Sequence, residues 1–583
     1  MLIGRIDTLS HAIKIPIPST SSHLVYNTSA QSPTWVGYDA TVMTMGGNTS
    51  GTNAGSYTTT FTLNQGYKWA DGTRDMKSVS WSIAKRSLAI PTVSGSYTYN
   101  GSSQSVTILG YDSSTMNVTG NTGTNAGSYT ASFTLKDTSN NQWTDGTTST
   151  KTAGWSISPA ANTLALSPTS VTLGVGNTII NMSGNYSGSP TITLSNYKVV
   201  KAYYLGSNRI SVSSISNGTC TLTVSTPAGN YTAASKTCSI TVNITISALS
   251  SARSSLAATH VAGWDGYAIF AGGGALYSAV AEAYDHTLTR STITSLSTAR
   301  QGLLATTVSD YAIFAGGGVS GGITTAVDAY NYYLTRSTPT VLSDKKSAAA
   351  ATYVGSTGPS AGTYALFAGG YTGGGMTSSV NAYNASLTRS VASSGLSSAR
   401  ARIAGANTNS NYALFAGGNT SLTTAGLSAV VDAYNESLTR TVPSALSKAR
   451  EYIAGANNGL YAIFAGGSVG GTAQTTVDSY NSSLTRSTFT SLNYARANHA
   501  GCSNVGGNYA LFGGGASGNY AEGYNNSGTR SQYSMTNGTR YMLAAAPAGD
   551  FLIFGGGRGQ GSSGKDTNAT NAYDETYFKE IHS

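Results

Sequence analysis

The stretch Tyr267-Ala-Ile-Phe-Ala-Gly-Gly-Gly274 returns along the chain with small changes, opening again at Tyr311, Tyr364, Tyr412, Tyr461, Tyr509 and Phe551. The spacings are 44, 53, 48, 49, 48 and 42 residues, which makes seven copies. Around each copy runs a longer pattern: LSxAR, a run of small residues, YA[IL]FAGG, a loop of variable length, a DAYN-like segment, then SLTRST. YAIFA is apolar at every position. A strand covered on both faces reads as such a continuous run, whereas a half-buried strand alternates. Length variation falls after the Gly pair, as in VSGGITTA against NTSLTTAGLSA, so insertions map to loops on one side of each unit.

A period near 50 with these features resembles the kelch family, over residues 246–583. The Gly pairs align as Gly272-Gly273, Gly316-Gly317, Gly369-Gly370, Gly417-Gly418, Gly466-Gly467, Gly513-Gly514 and Gly555-Gly556. The following Tyr is Tyr284, Tyr330, Tyr383, Tyr434, Tyr480, Tyr524 and Tyr573, while the family's Trp is replaced by Leu288, Leu334, Leu387, Leu438 and Leu484. The resemblance implies a seven-bladed β-propeller of four-stranded blades. Either chain end, YDETYFKEIHS or TVNITISALSSAR, matches the outer strand of the closing blade.

A different repeat fills the N-terminal part. GYDATVMTMGGNTSGTNAGSYTTTFTL from Gly37 matches GYDSSTMNVTGNTGTNAGSYTASFTL from Gly110, with Tyr57 on Tyr129, Trp69 on Trp143 and Trp81 on Trp155. Short period-2 segments and Asp-Gly turns at Asp71-Gly72 and Asp145-Gly146 read as β-sandwiches. Both units resemble bacterial and phage Ig-like modules, and residues 160–245 resemble the bacterial Ig-like group 2 pattern. The expected order is an anchor segment at 1–18, sandwiches at 19–85, 86–159 and 160–245, and the propeller at 246–583. The fold class is therefore all-β: tandem Ig-like β-sandwiches followed by a seven-bladed kelch-like β-propeller. Cys220 and Cys238 share the parity of the apolar positions around them, which predicts buried thiols in the third sandwich.

Composition narrows the function. The 32 basic and 23 acidic residues make only 9% of 583, against an ordinary ~25%. Ser, Thr, Asn, Gly and Ala take their place, giving a polar and nearly neutral surface. The net charge of +9 is spread along the chain without a basic run, so no nucleic-acid footprint is expected. No apolar run reaches the ~18 residues of a membrane helix, and Arg5 and Asp7 interrupt the N-terminal apolar segment, unlike a signal peptide. An external composition without an export signal fits a virion component, assembled in the bacterial cytoplasm and released by lysis, on the exterior of head or tail. The expectation is a non-enzymatic bacteriophage fibre or spike without cofactor. Ile3, Ile6, Leu9, Ile13 and Ile15 would anchor it to other virion proteins, and the propeller would bind a host-surface glycan or protein, with homo-oligomerisation open. The alternatives are a capsid or tail decoration protein without a specific receptor, and an extracellular kelch-like oxidase. The oxidase reading is weakened by the sparse inventory of Cys502 with His260, His286, His499 and His582. No GxxxxGK[ST] phosphate loop occurs.

One cation recurs in each LSxAR: Arg253, Arg300, Lys346, Arg400, Arg450, Arg496 and Arg540. Such a ring near a channel mouth either braces neighbouring blades through carbonyls or holds an anionic ligand, because Arg forks match carboxylates. With Tyr452, Tyr494 and Tyr541 close by, this mouth is the expected ligand face, suited to sugars with acidic substituents and opposite the small, polar loops after the Gly pairs. A second series, Arg290, Arg336, Arg389, Arg440, Arg486, Arg530 and Lys579, lies on the outer strand, where charge blocks edge-to-edge pairing.

Overall fold

Continuous apolar runs demand cover on both faces, and the chain supplies it by laying equivalent sheets side by side. The computed structural model describes residues 12–261, 266–355, 363–408, 411–421, 423–515, 519–559, 564–574 and 580–582. The chain is all-β, its one helical element among these residues being the 3-10 turn Thr424–Gly426. No helix of the described residues is long and apolar enough to cross a membrane. Contacts divide the chain into two compact units. One holds residues 1–166, 182–192 and 223–236, and the other residues 167–181, 193–222 and 237–583.

In the second unit, seven four-stranded antiparallel sheets follow one another, each with its strands in chain order. The fifth is representative: Ala454–Asn457, Tyr461–Ala465, Val477–Asn481 and Arg486–Thr488. The first strands neighbour each other successively, and Ala544–Ala548 of the last sheet lies against Ala257–Val261 of the first, so the array closes into a ring. The outer strand of the seventh sheet is Glu580–His582, so the C-terminal end supplies it. The lead-in before the first sheet makes the same bonds as the link before the second. Leu296 N and Arg300 N donate to Ala279 O and Ser278 O, and Leu249 N and Arg253 N donate to Asn568 O and Thr567 O.

The Gly pair makes the same junction from the other side. Gly467 N donates to Arg496 O at 2.9 Å, Gly515 N to Arg540 O at 2.9 Å, and Gly557 N to Arg253 O at 2.9 Å. Both glycines of a pair have positive φ, and a Cβ on Gly466 would stand 2.6 Å from Arg496 O. A side chain is therefore excluded twice, by conformation and by space. In the last two sheets the positive-φ pairs are Gly514-Gly515 and Gly556-Gly557, one residue later than the aligned pairs, because Gly513 and Gly555 still belong to the second strand.

In the first unit, the first two repeats have the same core built on two tryptophans. Trp69 and Trp143 are fully buried, and their Nε1 atoms donate to Asp75 O and Ser149 O at 2.8 Å. Tyr57 stacks on Trp81 at 4.6 Å and Tyr129 on Trp155 at 4.7 Å. Ile13–Ile15 runs parallel to Tyr67–Trp69, as Arg86–Leu88 does to Asn141–Trp143. The segment expected as an anchor thus contributes a strand to the first repeat, as Arg86–Leu88 does to the second. Ile15 packs against the first core, while Ile13 remains exposed. Ile3, Ile6 and Leu9 lie outside the described residues.

Successive repeats are joined by an Asn clamp. Asn140 accepts from Ala54 N at 2.7 Å and donates to Asn53 Oδ1 at 3.0 Å. Asn230 does the same to Ala126 N at 2.9 Å and Asn125 Oδ1 at 3.1 Å. In the second unit, Cys220 and Cys238 are buried free thiols, in agreement with their parity.

Candidate binding site at the link end of the ring

The cation of each link is drawn into the protein. Arg253, Arg300, Lys346, Arg400, Arg450, Arg496 and Arg540 are all at most 1% exposed. Arg450 shows the pattern: Nη1 meets Asp478 Oδ2 at 2.8 Å, Nε donates to Gly466 O at 2.7 Å, and Nη2 to Phe464 O at 3.1 Å. The acid, on the third strand, also accepts from Ser447 N at 3.0 Å and from the outer-strand Arg486 at 2.9 Å. Glu282, Asp328, Asp432 and Glu522 hold the equivalent cations Arg253, Arg300, Arg400 and Arg496. Burial pulls these guanidinium groups down from their usual range, and the facing carboxylate opposes that pull.

Two modules vary the theme. Asn381 and Asn571 replace the acid. Arg540 donates to Asn571, whereas Lys346 turns to Asp344 at 3.1 Å and Ser379. The expectation of a cation ring open to an anionic ligand is thus corrected: these charges are buried against their own sheets and offer nothing to solvent. The outer series does more than guard an edge, since Arg336 donates to Ser295 O and Arg389 to Val341 O, both at 2.7 Å. Lys579 lies outside the described residues.

What surrounds the axis at this end is the residue two places after each cation. Ser255, Gly302, Ala348, Arg402, Tyr452, Asn498 and Met542 all have φ between 50° and 57°. Six are not glycine, and left-handed backbone at such residues costs roughly 1–2 kcal/mol each. At five of the seven junctions their backbones join head to tail. Ser255 N donates to Met542 O at 2.8 Å, Gly302 N to Ser255 O at 2.8 Å, Arg402 N to Ala348 O at 2.6 Å, Tyr452 N to Arg402 O at 3.2 Å, and Met542 N to Asn498 O at 2.8 Å. They rim a depression of about 290 Å³, floored by Leu256, Ala349, Ile403, Ile453, His499 and Leu543. The Arg402 guanidinium lies 4.9 Å over the Tyr452 ring and meets Glu451 Oε2 at 3.0 Å. Burial, with Arg496 and Arg450 nearby, holds His499 down at about 3, so its ring is neutral at neutral pH.

Of the expected tyrosines, only Tyr452 lines this depression. Tyr494 stacks on Tyr520 at 4.8 Å, and Tyr541 pairs with Arg558 in a short ladder. That ladder, with the bridges Gln301↔Gly318, Ser347↔Tyr371 and Glu451↔Ser468, puts the loops after the Gly pairs beside the links. The expectation of opposite faces is corrected. In four antiparallel strands, the second strand ends where the first begins.

The other end of the axis holds a cavity of about 340 Å³ between the first strands, reaching the hairpins around Ser309 and Asn504. Cys502 lines it as a buried free thiol. Strand Val200–Gly206 lies near this end. Burial raises Asp550 of the last such hairpin above the usual carboxylate range, and Lys201 and His286 oppose the rise. Among the described residues, no three His, Cys, Asp or Glu side chains group as metal ligands.

No family model matches the chain, and no curated protein matches it. Among solved structures, the one described as "Structure of YjhT" is similar at 12% identity and a TM-score of 0.38, covering 58% of this chain and 99% of that one. A likeness at that score carries no argument.

Proposed function

We propose that this chain is a non-enzymatic attachment protein of a bacteriophage virion. In this reading the seven-sheet ring is a kelch-like β-propeller serving as the binding head, and the N-terminal repeats are Ig-like sandwiches forming the stalk. The observation that carries it is the link end of the ring. There one backbone conformation is held seven times at a cost in strain, while the side chains, Ser, Gly, Ala, Arg, Tyr, Asn and Met, differ in every module. Strain maintained against varied side chains marks a site shaped for a partner. The nearly neutral Ser- and Thr-rich composition and the clamped tandem repeats suit an exposed spacer on a particle.

The host-surface target binds at this end, and the N-terminal end joins other virion proteins. Purified full-length chain, added in excess to host cells, should slow particle adsorption. The Ala348→Trp variant, which fills the depression, should not. Equal competition by both proteins would sink the assignment of this end.

A further inference from the structure

A second interaction surface lies away from the link end, on the outer strand Val200–Gly206: we propose that this strand takes an extended, acidic peptide segment of a partner protein as an added β-strand. Val200–Gly206 pairs with Arg209–Ser214 on one side and stands last in its sheet. The N–H and C=O groups of its other edge therefore meet no strand among the described residues. Native proteins commonly blunt such edges by keeping them short. The other outer strands between residues 160 and 245 follow that rule, with three residues in Ala165–Ser167 and four each in Ser170–Leu173 and Thr191–Leu194. Val200–Gly206 has seven, and its register runs unbroken from Val200 to Tyr204 before the irregularity at Leu205.

Two features of this edge say what covers it. The first is apolar surface held in water. Tyr203 is 62% exposed and Leu205 55%, with Tyr197 at 70% just before the strand. An added strand runs about 4.8 Å away and sets its side chains beside these. The second is charge. Residues 160–245 hold Lys198, Lys201, Arg209 and Lys236 and no Asp or Glu. Lys198, Lys201 and Arg209 are exposed and make no ion pair among the described residues. The charge of Lys201 reaches Asp550 of the ring without pairing with it. A second copy is the wrong occupant, because edge-to-edge pairing would gather these three cations from each copy with no carboxylate among them. A polyanion would answer the cations and leave the backbone edge bare, whereas an acidic strand answers both. Lys201 lies opposite Ser213 and Tyr203 opposite Ser211, on one face of the sheet. The added strand would thus carry acids on that face and apolar side chains on the other, beside Ala202 and Tyr204.

The test is a fluorescence-anisotropy titration of the full-length chain with a labelled, blocked heptapeptide alternating Val and Glu. It should bind in the micromolar-to-millimolar range, and hydrogen exchange at saturation should be slowed in Val200–Gly206. The Val-Lys counterpart should bind at least tenfold more weakly. So should the fully N-methylated Val-Glu peptide, which keeps the charge and lacks every N–H. The double variant Lys201→Glu, Arg209→Glu should lose tenfold or more for the Val-Glu peptide and gain for the Val-Lys peptide, at an unchanged thermal midpoint. No binding by the Val-Glu peptide, or equal binding by its N-methylated form, would overturn the proposal. Heparin binding as tightly as the peptide without slowing those amides would assign the cations to a polyanion and overturn it too.

Discussion

The tandem repeats and the ring join like modules by opposite means. In the first two repeats each module buries its own tryptophans, and neighbours meet through one asparagine that grips two backbone positions. In the ring no module is complete alone. The cation of one link supplies its carbonyl to the preceding Gly pair and its guanidinium to the following third-strand acid. Self-contained modules tolerate local damage, whereas a closed cycle of shared buried charges spreads it.

The largest expected effect breaks the ring's side of that contrast. Asp478→Ala strands Arg450 and Arg486, and loss of one member of a buried pair costs about 3–5 kcal/mol. Calorimetry should show the whole ring transition move. Asp478→Asn should cost less, since Asn381 and Asn571 already occupy this place elsewhere. Trp143→Ala should cost a similar ~3–5 kcal/mol, but its effect should stay in the second repeat. Hydrogen exchange should loosen Asn141–Trp143 and Lys151–Ser158 and leave ring amides protected.

A pH effect of intermediate size sharpens the comparison. His499 is neutral when folded, near 3, and takes a proton below about 6.5 when unfolded. The unfolded chain then binds more protons between those values, so ring stability falls as pH drops from 6.5 toward 3. His499→Leu should flatten that fall in urea titrations at pH 4 and pH 7. The smallest effect belongs to the clamp. Asn140→Ala removes bonds to Ala54, Asn53 and Asp137 and should cost about 1–3 kcal/mol, read as a lower thermal midpoint of the tandem repeats.

Much of this was legible in the chain. The seven-fold period, the two-faced apolar strands and the link cations are visible as repetition, because every module faces the same packing problem. The partners of the cations were missed although their signal repeats too: Glu282, Asp328, Asp432, Asp478 and Glu522 sit inside apolar strands, where a lone acid needs a buried cation. The strand at Ile13–Ile15 was also readable, since Ile17-Pro18 and Ile90-Pro91 keep the spacing of the tandem repeat. The rim was hidden for the opposite reason. An alignment rewards sameness, and Ser255, Gly302, Ala348, Arg402, Tyr452, Asn498 and Met542 share a backbone conformation without sharing a residue. Their place two residues after each link cation is readable in the repeat, but only φ shows that they share one conformation.

The central claim is a particle-bound chain whose ring faces outward, and cryo-electron microscopy of purified particles tests it most directly. The account predicts density for the N-terminal repeats against the particle, with the ring outermost and its Ser255–Met542 rim open to solvent. A ring docked against the shell with its rim covered, or particles that lack the chain, would contradict it.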